Sequence, residues 1–110
     1  MRDLTTSAST RLAGERAGVD GAIDVAELHA PFSHQEPILR EALRLADQVD
    51  VNPSGGALSA NVMMAAGLTR IGEAAQRIID GRAGRAVAHA TSGPCLQQNL
   101  VCMLDAASAT

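Results

Sequence analysis

The chain has 110 residues, a net charge of −3 and 46% hydrophobic residues, and Phe32 is its single aromatic residue. This length predicts one domain, whose core must be built from aliphatic side chains. The nine Lys and Arg residues are scattered rather than gathered in a basic block, which argues against nucleic-acid binding. The chain contains no run of 18 apolar residues and no apolar leader, so we expect a cytoplasmic protein without a membrane span.

The N-terminal part of the chain is predicted to hold a tail, a helix and a strand. Residues 1–8 are polar and are expected to be flexible, whereas residues 9–110 are expected to form the domain. A helix is predicted from Ser9 or Thr10 to Ala17, and Gly18 is its stop signal. The short, partly β-branched segment Ile23–Leu28 predicts a strand.

A capping-box pattern predicts where the next helix begins. The Ser33 hydroxyl can accept a hydrogen bond from the Glu36 amide, and the Glu36 side chain can reach back. Pro37 falls in the first turn, where its missing N–H costs little, and the apolar spacing extends the helix to about Ala46. The segment Asp50–Gly56 combines asparagine, proline and glycine, which predicts a loop.

The C-terminal part is predicted to hold one long helix and two strands. Apolar residues at helical spacing predict a helix from Asn61 to Ile79, with Ser59 as its cap. Strands are predicted over Arg85–Ala90 and Asn99–Leu104, and we expect them to be antiparallel neighbours. Helices and strands in this order indicate an α/β fold of packed layers.

Three segments, in this order, resemble the C-terminal domain of thiolases. Val25–Ser33 resembles a strand-to-loop motif written N-E-A-F in many thiolases and H-D-x-F in the sterol-carrier-protein-X-like branch. Asn52–Gly56 reads N-P-S-G-G and precedes Gly67, as in the family's N-P-S-G-G…G-A-T-G-L stretch. His89–Cys95 resembles the loop that carries C-x-G in thiolases. The resemblance implies the C-terminal half of a thiolase-like layered α/β fold, a mixed sheet with helices, in the sterol-carrier-protein-X-like branch.

Thiolases make or break a carbon–carbon bond next to a CoA thioester. This chemistry needs a cysteine nucleophile, a thiol that moves the α-proton, and donors that stabilise the enolate and tetrahedral oxygens. The family's nucleophile lies in its N-terminal half, and no segment of this chain resembles that half. The resemblance therefore implies an N-terminal thiolase half or partner subunit, a homo- or hetero-oligomer, and an acyl-CoA substrate with no bound cofactor and no metal.

The resemblance assigns catalytic roles to His29, Asn61 and Cys95. His29 takes the place of the motif residue that helps to form an oxyanion hole. Asn61 stands where the family has the histidine of G-H-P, and it can donate a hydrogen bond but cannot activate a thiol. Gly93 falls at the position of the acid/base cysteine, and Cys95 follows two residues later. The alternatives are that Asn61 merely begins a helix and that Cys95 is a buried thiol.

A second set of residues is expected to line the substrate site: Phe32, Asn52, Gly55, Gly56, His89 and Gly93. The adjacent glycines of the N-P-S-G-G loop provide a tight backbone path. His89 lies at a strand end beside the third motif, where a purely structural histidine is the alternative. His34, in the first turn of a helix, is expected to have no catalytic role.

Three functions remain open at the level of the sequence. The first is an acetyl-CoA acetyltransferase-like component, whose isolated chain is expected to be inactive because it lacks the nucleophile half. The second is a thiolase-fold retro-aldolase, a lyase that cleaves a β-hydroxyacyl-CoA such as a steroid side chain and pairs with an OB-fold partner protein. Retro-aldol cleavage needs a base and an enolate hole but no thiol attack. The third is a non-catalytic, split or truncated assembly module.

Overall fold

The computed structural model describes residues 5–20, 22–59, 65–92 and 96–107. The helices are α1 (Ala8–Ala17), α2 (Gln35–Ala42), α3 (Gly56–Ser59) and α4 (Ala66–Ile79). The strands are β1 (Val25–Glu27), β2 (Asp50–Val51), β3 (Arg85–Ser92) and β4 (Gln98–Asp105). The predicted α/β class is therefore confirmed. No helix among the described residues is long and apolar enough to cross a membrane.

The strands form one mixed sheet in the order β2-β1-β3-β4. Strand β1 is parallel to both of its neighbours, and Glu27 pairs with Ala88 of β3. Strands β3 and β4 are antiparallel along their full length, from Arg85 opposite Asp105 to Ser92 opposite Gln98. The antiparallel pairing predicted for the last two strands is confirmed.

Helices cover both faces of the sheet. Each face carries alternate residues of every strand, because successive side chains point to opposite sides. On the face that α1 and α2 cover, here called the α2 face, Leu28 and Val87 pack with Leu39. On the opposite face, the α4 face, Val25 and Ala86 pack with Ala74, Ile71 and Ile78. Small alanine side chains on the α4 face let the helix approach the sheet closely. This close approach fills the space that aromatic side chains fill in most cores.

Helix α1 begins slightly earlier than predicted and ends as predicted. The Ser7 hydroxyl caps it by accepting a hydrogen bond from the Thr10 N–H at 3.4 Å. Gly18 ends the helix in the left-handed conformation, with φ of 77°, which glycine adopts without the steric cost of a Cβ. The expected flexible tail, residues 1–8, lies partly outside the described residues.

The predicted capping box at Ser33 does not form. Helix α2 begins at Gln35, whose side-chain Oε1 accepts the Phe32 N–H at 3.3 Å. Glu36 instead pairs with Arg40 at 3.6 Å, one turn further along the helix. The prediction that this helix extends to about residue 46 is also wrong, because it ends at residue 42 and Arg44 has a positive φ of 54°.

The segment Asp50–Gly56, predicted to be a loop throughout, contributes to two elements. Asp50 and Val51 form strand β2, which is defined by its pairing with β1. Gly56 begins the single turn of α3. Ser59, predicted to cap the long helix, is the last residue of α3 and donates to the Gly56 carbonyl at 3.2 Å. Helix α4 covers residues 66–79 of the predicted long helix, and Asn61 lies outside the described residues.

Candidate functional site

Several predicted site residues gather where the parallel strands end. The carboxyl ends of β1, β2 and β3 lie at one edge of the sheet because these strands run in the same direction, and ligands of α/β proteins usually bind at such an edge. We call it the carboxyl edge. His29 follows β1 there, Asn52 follows β2, and His89 lies in the second half of β3.

His29 is held at the carboxyl edge by two hydrogen bonds. Its ring Nδ1 accepts the Thr91 N–H at 3.3 Å, and its backbone N–H donates to Nδ1 of His89 at 3.2 Å. Because Nδ1 of His29 is an acceptor, the neutral ring must carry its proton on Nε2. The half-buried His29 side chain is therefore fixed as a hydrogen-bond donor through Nε2.

The charge state of His29 follows from its surroundings. Burial lowers the pKa of His29 below its ordinary value of 6.5, and the positive charge of Arg70 acts in the same direction. Both effects disfavour the imidazolium form. At neutral pH the ring is consequently uncharged, with one N–H available for donation.

His89 contacts the backbone of His29 and is completely buried. Its Nε2 donates to Oδ1 of Asn99 at 2.8 Å, while its Nδ1 accepts from His29 as described above. Burial lowers the pKa of His89 to about 4, which keeps the ring neutral. Both ring nitrogens are thus engaged by the protein, so the predicted substrate residue His89 contacts His29 and Asn99 and presents neither nitrogen to an open surface.

The bonds from His89 continue to the first helix. Nδ2 of Asn99 donates to Oγ of Ser9 at 2.8 Å and to the Leu96 carbonyl at 2.8 Å. The Ser9 hydroxyl donates to the same carbonyl at 2.7 Å. We call Ser9, Asn99 and His89 the His89 network. It connects α1 and β4 with the backbone of His29, so residues distant in sequence fix the position of the donor.

The N-P-S-G-G loop is tied to the end of β1. Oδ1 of Asn52 accepts the Leu28 N–H at 2.6 Å, and Asn52 itself has a positive φ of 53°. Gly55 and Gly56 have φ of 94° and 62°, a region that glycine tolerates best. A Cβ on Gly56 would lie 3.0 Å from Asn52, and one on Gly55 would collide with Ser59. The predicted tight backbone path is present, and the Asn52 side chain serves to hold it.

Two buried charges were missed by the sequence interpretation. Glu27 is completely buried in β1, and its carboxylate accepts the Ser54 N–H at 3.1 Å and the Ser54 hydroxyl at 3.0 Å. Arg70 is 3% exposed on α4. Its Nε and Nη1 have no hydrogen-bond partner in the part of the chain that the structure describes. The sequence carried a signal for each: Glu27 lies inside an apolar strand, and Arg70 lies between Leu68 and Ile71.

The remaining predicted site residues are placed elsewhere or not described. Phe32 is 61% exposed and stacks on His34, with ring centroids 6.1 Å apart. Gly93 and Cys95, like Asn61, lie outside the described residues. Within the described ranges, no group of three or more His, Cys, Asp or Glu is arranged to hold a metal ion.

Comparison of the chain with protein-family models, with curated proteins and with solved structures returned no match. The resemblance to thiolases therefore depends on the three sequence motifs alone. The site itself is defined by His29, the His89 network, the N-P-S-G-G loop and the two buried charges.

Proposed function

We propose that this chain is the C-terminal part of a cytoplasmic, thiolase-superfamily acyl-CoA enzyme that makes or breaks a carbon–carbon bond next to a CoA thioester. The observation that carries the proposal is His29, a neutral imidazole whose proton is held on Nε2 at the carboxyl edge. The motif resemblance assigns an oxyanion-hole role to this same residue. The substrate would be an acyl-CoA, and no bound cofactor is required.

A donor of this kind suits the charge that develops during the reaction. Cleavage or formation of a bond next to a thioester passes through an enolate or a tetrahedral oxyanion, and fixed N–H donors stabilise both. The bonds from Thr91 and His89 hold the His29 ring and backbone in place before substrate binds. Preorganised donors lose little to reorganisation at the moment of reaction.

The nucleophile would come from another polypeptide. The free cysteine among the described residues is Cys102, which lies in β4 opposite Ala88 and packs with the cluster on the α4 face. Cys102 is half-buried and packs against aliphatic side chains, whereas reactive cysteines have electropositive surroundings. We therefore expect the isolated chain to be inactive and an N-terminal thiolase half, or a partner subunit containing one, to complete the site.

A second candidate is a retro-aldolase that acts on a β-hydroxyacyl-CoA, because the resemblance places Asn61 and Gly93 where thiolases have a histidine and the acid/base cysteine. That reaction releases an aldehyde or ketone and needs a base and an enolate donor but no acyl-cysteine. A His29 donor serves it equally well. Such an enzyme would associate with an OB-fold partner protein.

Co-expression with the product of a neighbouring thiolase-like gene distinguishes the candidates. Thiolysis requires added free CoA, whereas retro-aldol cleavage yields a carbonyl product without it. We expect His29→Ala to lower kcat of the complex by about 10²–10³, and His34→Ala to leave it unchanged as a matched control. A complex that forms but shows neither activity would contradict both catalytic proposals and indicate an assembly module.

A further inference from the structure

Arg70 is a buried cation whose donors are not satisfied. It is 3% exposed, and its Nε and Nη1 have no hydrogen-bond partner among the described residues. An arginine side chain cannot lose its charge in a protein. Burial of a charge without a partner is unfavourable, and such groups are normally paired or bind an ion. The described residues therefore supply no acceptor for these two nitrogens, and the guanidinium can bind one from a ligand.

Arg70 lies close to the carboxyl edge. Gly67, one turn earlier on the same side of α4, is pressed against β3, since a Cβ there would lie 2.6 Å from Cβ of Ala90. The next residue of β3, Thr91, donates to the ring of His29. The charge of Arg70 also acts on His29. These contacts indicate that the guanidinium of Arg70 lies near the ring of His29.

The buried carboxylate on the same face of the sheet does not neutralise Arg70 directly. Both oxygens of Glu27 accept hydrogen bonds from Ser54. The ion pairs within 4.0 Å among the described residues involve Arg40, Arg82 and Arg85 but not Arg70. Glu27 stabilises the N-P-S-G-G loop, and the donors of Arg70 remain available.

We propose that Arg70 and Nε2 of His29 together bind an anionic oxygen group, a carboxylate or a phosphate, of a small-molecule ligand. Guanidinium and imidazole N–H groups form strong, charge-assisted hydrogen bonds with such oxygens. The site depends on this juxtaposition and not on thioester chemistry, so either proposal can fail alone.

The test is anion binding by the intact 110-residue chain. Sodium acetate and inorganic phosphate are titrated separately at constant ionic strength, with chloride as the balancing salt, and the ring ¹H–¹⁵N NMR signals of His29 are followed. Saturable shifts with acetate alone identify a carboxylate site, and those with phosphate alone a phosphate site. We expect Arg70→Met to weaken binding about tenfold or more. Arg77→Met, on the same helix, is the matched control and leaves binding unchanged.

Thermal unfolding of Arg70→Met without ligand separates binding from folding. We expect an unchanged or higher Tm, because a well-packed apolar side chain replaces an unpaired buried charge. The proposal is overturned if neither anion produces saturable shifts, if Arg70→Met binds as tightly as the wild type, or if Arg70→Met fails to fold. The activity of His29→Ala in the complex is a separate readout that none of these outcomes alters.

Discussion

His89 illustrates how one buried side chain sets the properties of the site. Its ring is completely buried, and each nitrogen has a partner of opposite character: an N–H at Nδ1 and a carbonyl oxygen at Nε2. This arrangement accepts only the neutral form, since an imidazolium would place a second N–H against the amide of His29. His89 therefore couples the protonation state of the core to the position of His29.

The stability of the protein should consequently depend on pH through His89. Its folded-state pKa of about 4 lies below the value of 6.5 expected when unfolded, so the unfolded chain binds more protons between these values. The contribution is fully present above pH 6.5 and is lost as the pH falls toward 4. We expect a loss of up to roughly 3 kcal/mol, measured by urea unfolding between pH 7.5 and 4.5.

Two variants isolate this effect from the titration of surface carboxylates. His89→Gln removes the buried imidazole, so its unfolding free energy should fall less steeply with acid than that of the wild type. His34→Gln changes a histidine exposed at the surface and should retain the wild-type dependence. Parallel pH profiles for His89→Gln and the wild type would show that His89 does not titrate on unfolding.

At the scale of elements, the approach of α4 to the sheet depends on one glycine. A Cβ on Gly67 would meet Cβ of Ala90 at 2.6 Å, whereas one on Gly72, in the same helix, would meet nothing within 4 Å. We expect Gly67→Ala to lower the free energy of unfolding by about 1–3 kcal/mol through overpacking. Gly72→Ala should raise it by about 0.5–1 kcal/mol through helix propensity.

The comparison uses the same substitution at two sites of one helix, so differences in the unfolded state largely cancel. Urea midpoints of the two variants and the wild type provide the measurement. Equal midpoints for the two alanine variants would mean that α4 can shift away from β3 without cost.

Elements with strong local signals were predictable from the sequence, and those made by pairing were not. Gly18 as the end of α1 and the antiparallel β3–β4 pair follow from local turn chemistry and alternation. Strand β2 is two residues long and exists through its hydrogen bonds to β1. The capping box at Ser33 is absent because α2 begins at Gln35, so Ser33 is not its N-cap residue, and the Glu36 side chain pairs with Arg40.

The site was predictable to a similar degree. His29 and the N-P-S-G-G loop are marked by short motifs. Glu27 and Arg70 were missed because a charged residue within an apolar pattern reads as a solvent-facing position until neighbouring elements are known to cover it. The His89 network joins residues 9 and 99, a separation across which the sequence shows no pattern.

At the scale of the whole molecule, much apolar surface remains uncovered. The large apolar side chains exposed among the described residues are Leu12, Phe32, Leu58, Leu68, Ile79 and Leu100. The core on the α4 face is made mainly of alanine and valine, which bury little area per residue. A partner that covers some of these side chains would therefore add to stability.

We accordingly expect the chain to associate, either with further copies or with an N-terminal thiolase half. Analytical ultracentrifugation at micromolar concentration should show species larger than a monomer if copies associate. If the partner is a thiolase half, thermal unfolding should show a Tm that rises when that partner is added. A monomer that stays folded at low concentration, with a Tm unaffected by a candidate partner, would contradict this expectation.

The bond from the His29 amide to the buried ring of His89 has one more consequence. Because this hydrogen lies against an imidazole with no solvent exposure, it can exchange with deuterium only when the His89 network opens. The exchange rate of a single backbone amide therefore reports the integrity of a connection that begins at Ser9 in the first helix. Any N-terminal truncation or tag that disturbs α1 would register there before the fold as a whole is affected.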